Sequence, residues 1–169
     1  NDGTQIGGST VILNFNTLGE TIFRGNATVN NGLFELNFVV PQDIKIPLGN
    51  GKISFYAKSE MPILKDNTGY STAISVGGVN QNAPTDDTAP TVQLYMNDTN
   101  FVSGGKTNDS PIFLAFLQDE HGINTASGIG HDIVAILDGD ETNPYILNDY
   151  YETELDDFTN GKVSFPFKN

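Results

Sequence analysis

Apolar residues in this chain come in short bursts of about four to eight, closed off by Gly, Asn, Asp or Pro, the texture of β-strands joined by turns. The clearest burst is 33–40. Phe34, Leu36, Phe38 and Val40 fall on one side of an extended chain, Glu35 and Asn37 on the other. The alternation predicts a half-buried strand with its phenylalanine face turned inward. Asn31-Gly32, just ahead of it, is the pair that a type I′ hairpin turn favours, because both central positions need φ > 0. Pro41 ends the burst, having no N–H to give to a ladder.

The same pattern places strands at 9–15, 21–29, 52–58 and 73–76 in the first half. The second half offers 91–96, 101–105, 112–117, 131–137, 145–147 and 163–167. Burst 112–117 is almost wholly apolar and predicts a central strand. Only Pro41-Gln42-Asp43-Ile44 suggests a helical turn.

Residues 77–90 carry Pro84 and Pro90 and few bulky apolar side chains, and they read as a linker. The expected architecture is all-β: two tandem immunoglobulin-like β-sandwich modules, residues 1–84 and 85–169. One larger sandwich or jelly roll across both halves is the competing arrangement. The second module offers fewer strands than the roughly seven of an immunoglobulin-like sandwich. It is therefore expected to be incomplete, with an unpaired edge beside its last strand. The chain begins at Asn1 without Met and reads as a piece of a longer protein; no apolar stretch approaches the length of a membrane span.

Charge sharpens the division. The formal net charge is −13, yet residues 1–84 hold six acids against five bases, and residues 85–169 hold fifteen acids against Lys106, Lys162 and Lys168. So acidic a surface repels nucleic-acid phosphate and anionic lipid, so neither nucleic-acid binding nor direct membrane insertion is expected.

There is no Cys, which excludes a cysteine nucleophile, a thiolate metal site and disulfides. His121 and His131 are the two imidazoles. Ser127, His131 and Asp132 are the components of a hydrolytic triad, but adjacent residues on a strand diverge, which leaves His131 without an orienting carboxylate. The acids between Asp138 and Asp157 offer pairs for glycoside hydrolysis, without the burial that would set two pKa values apart. No catalytic, cofactor-binding or metal-ligating residue is therefore assigned. Calcium is the one cofactor left open. Asp138 and Asp149 stand eleven residues apart as in an EF-hand loop, but Asn143 replaces the required Gly. A looser site would draw on Asp86 and Asp87 in the linker. Asp87-Thr88-Ala89 resembles the short O-glycosylation acceptor of Bacteroidetes exported proteins.

Several segments together resemble the PorU family, the gingipain-like signal peptidase and sortase of the type IX secretion system. They are 32–44, 49–57, 94–98 with 101–105, and most distinctively Gly122-Ile-Asn-Thr-Ala-Ser-Gly-Ile-Gly-His-Asp-Ile133, continuing through 135–138 to 146–151. The region resembled follows the peptidase domain, whose catalytic Cys and His have no counterpart in this chain. The resemblance implies a non-catalytic structural or interaction region of a cell-surface cysteine peptidase, exported to the bacterial outer-membrane surface. Its implied partners are the upstream peptidase domain of the same chain, secreted cargo and secretion-system subunits. The alternative is an autonomous carbohydrate-binding or adhesin module, for which Tyr145, Tyr150 and Tyr151 would supply the aromatic platform.

Overall fold

The computed structural model describes residues 21–41, 48–126 and 132–167. Among these the regular structure is β throughout, apart from one short 3-10 turn at Asn148–Tyr150. Two long strands, β1 (Gly49–Ser59) and β2 (Lys65–Val76), form an antiparallel hairpin. A four-stranded antiparallel sheet follows, in the order β3-β4-β8-β7. Its strands are β3 (Thr91–Met96), β4 (Ile112–Gln118), β7 (Tyr151–Glu154) and β8 (Asp157–Pro166). A small ribbon, β5 (Val134–Ala135) with β6 (Tyr145–Ile146), forms a separate two-stranded sheet.

Strand register explains the core. Across the sheet, Phe113, Ala115 and Leu117 of β4 stand opposite Phe165, Val163 and Gly161 of β8, and Tyr151 and Thr153 of β7 stand opposite Val163 and Gly161. Directly opposed residues share a face. That face holds the buried Ala115, Leu117, Val163 and Tyr151, capped by Leu147 at the entry to the 3-10 turn. Ile123, Ile133, Ala135 and Tyr145 pack against it from the covering layer. Backbone bonds lock that layer: Leu147 N donates to Ile133 O (2.8 Å), and Ile133 N donates to the Asn148 side-chain oxygen (2.8 Å).

The strands β3 and β4 appear where the apolar bursts placed them, and β4 is an inner strand as its composition implied. They are joined by a long loop that Asn97 cinches. Its backbone N–H donates to Ile112 O (2.7 Å) and its side-chain oxygen accepts from Ile112 N (2.9 Å). The expected strand 52–58 lies within β1, and 73–76 is the C-terminal end of β2.

Other expectations need correction. Asn31 (φ 51°) and Gly32 (φ 81°) do make the hairpin turn, with Asn30 and Leu33 exchanging backbone bonds of 2.8 and 3.0 Å. Beyond that one bridge, however, 21–29 and 33–40 are extended without a ladder. Phe34, Leu36 and Phe38 are 49%, 38% and 41% exposed, so the face expected to be buried is half open to solvent. Alternation fixes which side chains share a face, but burial needs a second layer over it. Here the cover is thin: Phe34 meets Phe55 edge-on (5.4 Å), and Phe38 stacks on Phe23 (4.4 Å). Residues 101–105 turn instead of pairing, and of the expected strand 131–137 the described residues 132–137 hold only β5. The last strand is not an edge. β8 is paired by β4 on one side and β7 on the other, and the edges are β3 and β7. The expected strand at 9–15 and the turn at 41–44 lie wholly or mostly outside the described residues.

Residues 77–90 carry no strand and are exposed throughout. Polar contacts nevertheless join the halves. Thr28 N and Oγ1 donate to the Asp156 carboxylate (2.7 and 2.5 Å), Asp156 N donates to Asn26 O (3.1 Å), and Arg24 reaches Asp149 O (3.3 Å).

Two substitutions separate the true core from the exposed face. Leu147→Ala, at a position 1% exposed, is expected to cost about 2–5 kcal/mol, whereas Phe38→Ala should cost about 1 kcal/mol, chiefly its ring contact with Phe23. Chemical denaturation of the two variants checks the order. Gly161→Ala adds a third case. A Cβ there would run into the Tyr151 hydroxyl and lie 2.7 Å from Glu152 O, so a loss of about 1–3 kcal/mol is expected from overpacking.

Candidate functional site

The turn that leaves β4 is held by Asp119, itself buried. Its carboxylate accepts from His121 N (2.8 Å) and its carbonyl from Gly122 N (3.1 Å), with Gly122 at φ +84°. This fold-back presents Glu120 and His121 side by side toward the strandless 77–90 stretch. Thr88 meets them there, its hydroxyl bonded to Glu120, and Asp86 Oδ2 stands 3.3 Å from His121 Nδ1. The Thr88 bond is the main reason that the Glu120 carboxyl is held below its ordinary range. Asp86, Glu120 and His121 thus bring one ligand atom each within 4.8 Å of one another. The His121 Nδ1 atom is buried and makes no hydrogen bond.

The linker acids and the Asp138–Asp149 stretch are therefore not one site. Asp86 is drawn to His121, and Asp149 pairs with Arg24 (3.7 Å) on the surface. Asp140, at the third position of the EF-hand-like spacing, has both oxygens engaged. Thr142 N (3.0 Å) and Oγ1 (2.5 Å) donate to one, and Asn143 Nδ2 (2.8 Å) to the other. Asp157 repeats the pattern with Thr159 N (2.9 Å), Thr159 Oγ1 (2.6 Å) and Asn160 Nδ2 (2.8 Å). The shared Asp-x-Thr-Asn string at 140–143 and 157–160 was visible in the sequence, and it is a turn-capping device in both places. Hydrogen bonds from Thr and then Asn hold Asp140 and Asp157 below the usual carboxylate range, and the bonds from Thr28 do the same for Asp156.

Ser127 and His131 lie outside the described residues, and Asp132 is exposed. The three tyrosines form no flat platform. Tyr145 packs edge-on against Phe165 (5.4 Å) and Phe167 (5.3 Å), and Tyr150 edge-on against Phe165 (4.7 Å). Tyr151 is 3% exposed, its hydroxyl buried without a partner. Burial first, and then the charges of Asp157, Asp119 and Glu154, push its phenol up to about 12. On the outer face of the sheet is a shallow hollow of about 470 Å³ lined by Gln93, Tyr95, Phe116, Gln118 and Asn160. Tyr95 meets Phe116 edge-on there at 5.7 Å.

No protein-family model matches the chain, and no curated protein does. Among solved structures, the chain is similar to dimeric latent PorU from Porphyromonas gingivalis, at 34% identity over 82% of this chain, with a TM-score of 0.47. It spans 13% of that protein's length.

The titrations carry opposite signs at the two ends of the pH scale. Asp140, Asp156 and Asp157 are depressed, so their contribution is present above the ordinary aspartate value of 3.8 and lost as pH falls below it through their folded values. Tyr151 is raised, so its contribution is present below 10.0 and lost as pH climbs from there toward about 12. Unfolding midpoints against pH should fall at both ends. Tyr151→Phe is expected to remove the alkaline fall and to leave neutral-pH stability equal or slightly higher, because it deletes an unsatisfied hydroxyl. An alkaline fall that persists in Tyr151→Phe would assign it elsewhere.

Proposed function

We propose that this chain is a non-catalytic structural and interaction region of an exported, gingipain-like surface cysteine peptidase of the type IX secretion system. The observation that carries this reading is the apolar surface of the first half. Every buried apolar residue among those described lies between Ala115 and Val163, whereas Phe34, Leu36, Phe38, Ile53 and Phe55 are each more than a third exposed. A two-stranded hairpin with such a surface is marginal in water by itself and gains stability when another surface covers it. The segments that resemble the PorU family supply the partner: the peptidase domain ahead of this region in the same chain. Secreted cargo and secretion-system subunits are the further partners, at the outer-membrane surface. On this reading 1–84 and 85–169 are two modules joined by 77–90 and stitched through Asp149 and Asp156.

Three of the described acids, Asp140, Asp156 and Asp157, are engaged in holding turns or tying segments together, which supports a non-catalytic role. A second reading, carbohydrate binding, draws on the outer hollow, where Tyr95 and Phe116 sit among the side-chain amides of Gln93, Gln118 and Asn160.

The test measures binding of the chain to the separately purified peptidase domain of its own gene, alongside peptidase, esterase and glycosidase assays. Binding weakened by Phe38→Asp and Phe55→Asp, with no turnover above buffer, is expected. Turnover that survives repurification, or binding indifferent to both substitutions, would overturn the proposal. A glycan titration that saturates and is lost in Tyr95→Ala would favour the second reading.

A further inference from the structure

We propose that Asp86, Glu120 and His121 form a binding site for a divalent transition-metal cation, zinc above all, which pins the 77–90 stretch to the turn leaving β4. The residues come from two places more than thirty positions apart in sequence, yet their donor atoms converge within 4.8 Å. The donor set is one imidazole nitrogen and two carboxylates, which suits zinc and its neighbours. It does not suit calcium, which takes six to eight oxygens at about 2.3–2.6 Å.

The spacing of the closest pair argues the same way. Asp86 Oδ2 and His121 Nδ1 stand 3.3 Å apart, near enough for a hydrogen bond, yet Nδ1 makes none. Two ligands of one tetrahedral zinc with bonds of about 2.0–2.1 Å stand about 3.3 Å from each other. The buried, unbonded nitrogen is thus placed as a co-ligand of Asp86. Glu120 is exposed, and its carboxylate completes the set at the wider separation, within 4.8 Å of the other two ligand atoms. One or more remaining positions on the cation are open to water.

Preorganisation comes from the flanking bonds, none of which uses the Asp86 oxygen or the His121 nitrogen just named. Asp119 fixes the backbone of His121, and the Thr88 hydroxyl holds Glu120. Thr88 N donates to the other Asp86 oxygen, Oδ1 (3.3 Å). An occupied site would cross-link an exposed segment to the buried Asp119 turn, which raises its resistance to cleavage.

The test titrates Zn²⁺ alone into the metal-stripped 169-residue chain by calorimetry, with Ca²⁺ in a parallel titration and thermal unfolding as a second readout. One-to-one Zn²⁺ binding, a raised unfolding midpoint and slower proteolysis within 77–90 are expected. His121→Ala and Asp86→Asn should each weaken zinc by at least about tenfold, since loss of even a supporting partner costs about 10–100-fold in such sites. His131→Ala should leave it unchanged. Circular dichroism of each variant without metal confirms that folding is intact. If a variant fails to fold, Glu120→Gln, at an exposed position, carries the comparison with the same tenfold threshold. Absence of binding, which would leave Asp86 and His121 as an ion pair only, overturns the proposal. So do calcium binding as tight as zinc, binding equal in all variants, and binding that disappears in His131→Ala.

Discussion

Tyr151 and Gly161 have to be accommodated together, and the acidic half of the molecule is arranged around that fit. β8 is an inner strand, so its core face must pack and pair at once, and at Gly161 it offers no side chain. The Tyr151 ring fills the place where a Cβ would stand, its Cζ 2.5 Å from that position. Val163, next along the same face, is fully buried opposite Tyr151 and Ala115. The aromatic ring over a strand glycine replaces packing that the glycine forfeits. The cost is a phenolic hydroxyl sealed from water among Asp157, Asp119 and Glu154, which is why it holds its proton so strongly.

A half-chain with fifteen acids against three bases should resist compaction through self-repulsion. The structure answers locally. Asp140 and Asp157 each fold a Thr and an Asn back onto themselves, and Asp119 caps the turn that carries His121. Each such carboxylate is surrounded by donors instead of by a counter-cation, so the turns are strengthened by the residues that would otherwise repel. Much of the acidity is therefore structural. A scarcity of Lys and Arg is tolerable when backbone N–H, hydroxyl and amide groups do the compensating.

Legibility in the sequence followed the physics of each signal. β3, β4 and the Asn31-Gly32 turn were readable because apolar alternation and positive φ are local requirements. The β7–β8 hairpin was not. Tyr151 and Thr153 point inward and Glu152 and Glu154 outward, a proper two-residue period, but it is short and embedded among acids that read as a solvated loop. Its turn, Leu155-Asp156, lacks the glycine that usually marks such a hairpin, and Asp156 takes the positive φ of 61° itself. The exposure of Phe34, Leu36 and Phe38 is not legible in the sequence, because a pattern shows which side is apolar, not whether anything covers it. The meeting of Asp86 with Glu120 and His121 had no sequence signal, since it depends on how an irregular stretch returns to a distant turn.

The expected exposed edge exists, but on a different strand. The β7 side is partly occupied by the chain's own 24–28 segment, which bonds to Asp156 and runs so close that a Cβ on Gly25 would lie 2.9 Å from Thr153 Oγ1. That attachment is thin: the Arg24–Asp149 pair is exposed, and such pairs contribute little. It still covers part of an edge that would otherwise invite a neighbouring strand. β3 has no comparable cover among the described residues. Val92 and Leu94 lie opposite Leu117 and Ala115, on the face that forms the core, yet they are 53% and 59% exposed. The covering layer of β5, β6 and the 3-10 turn reaches β4, β7 and β8 and stops short of them. The hydrophobic pattern of β3 therefore specifies a burial that the described part of the chain does not complete, and the sheet is least finished along this strand.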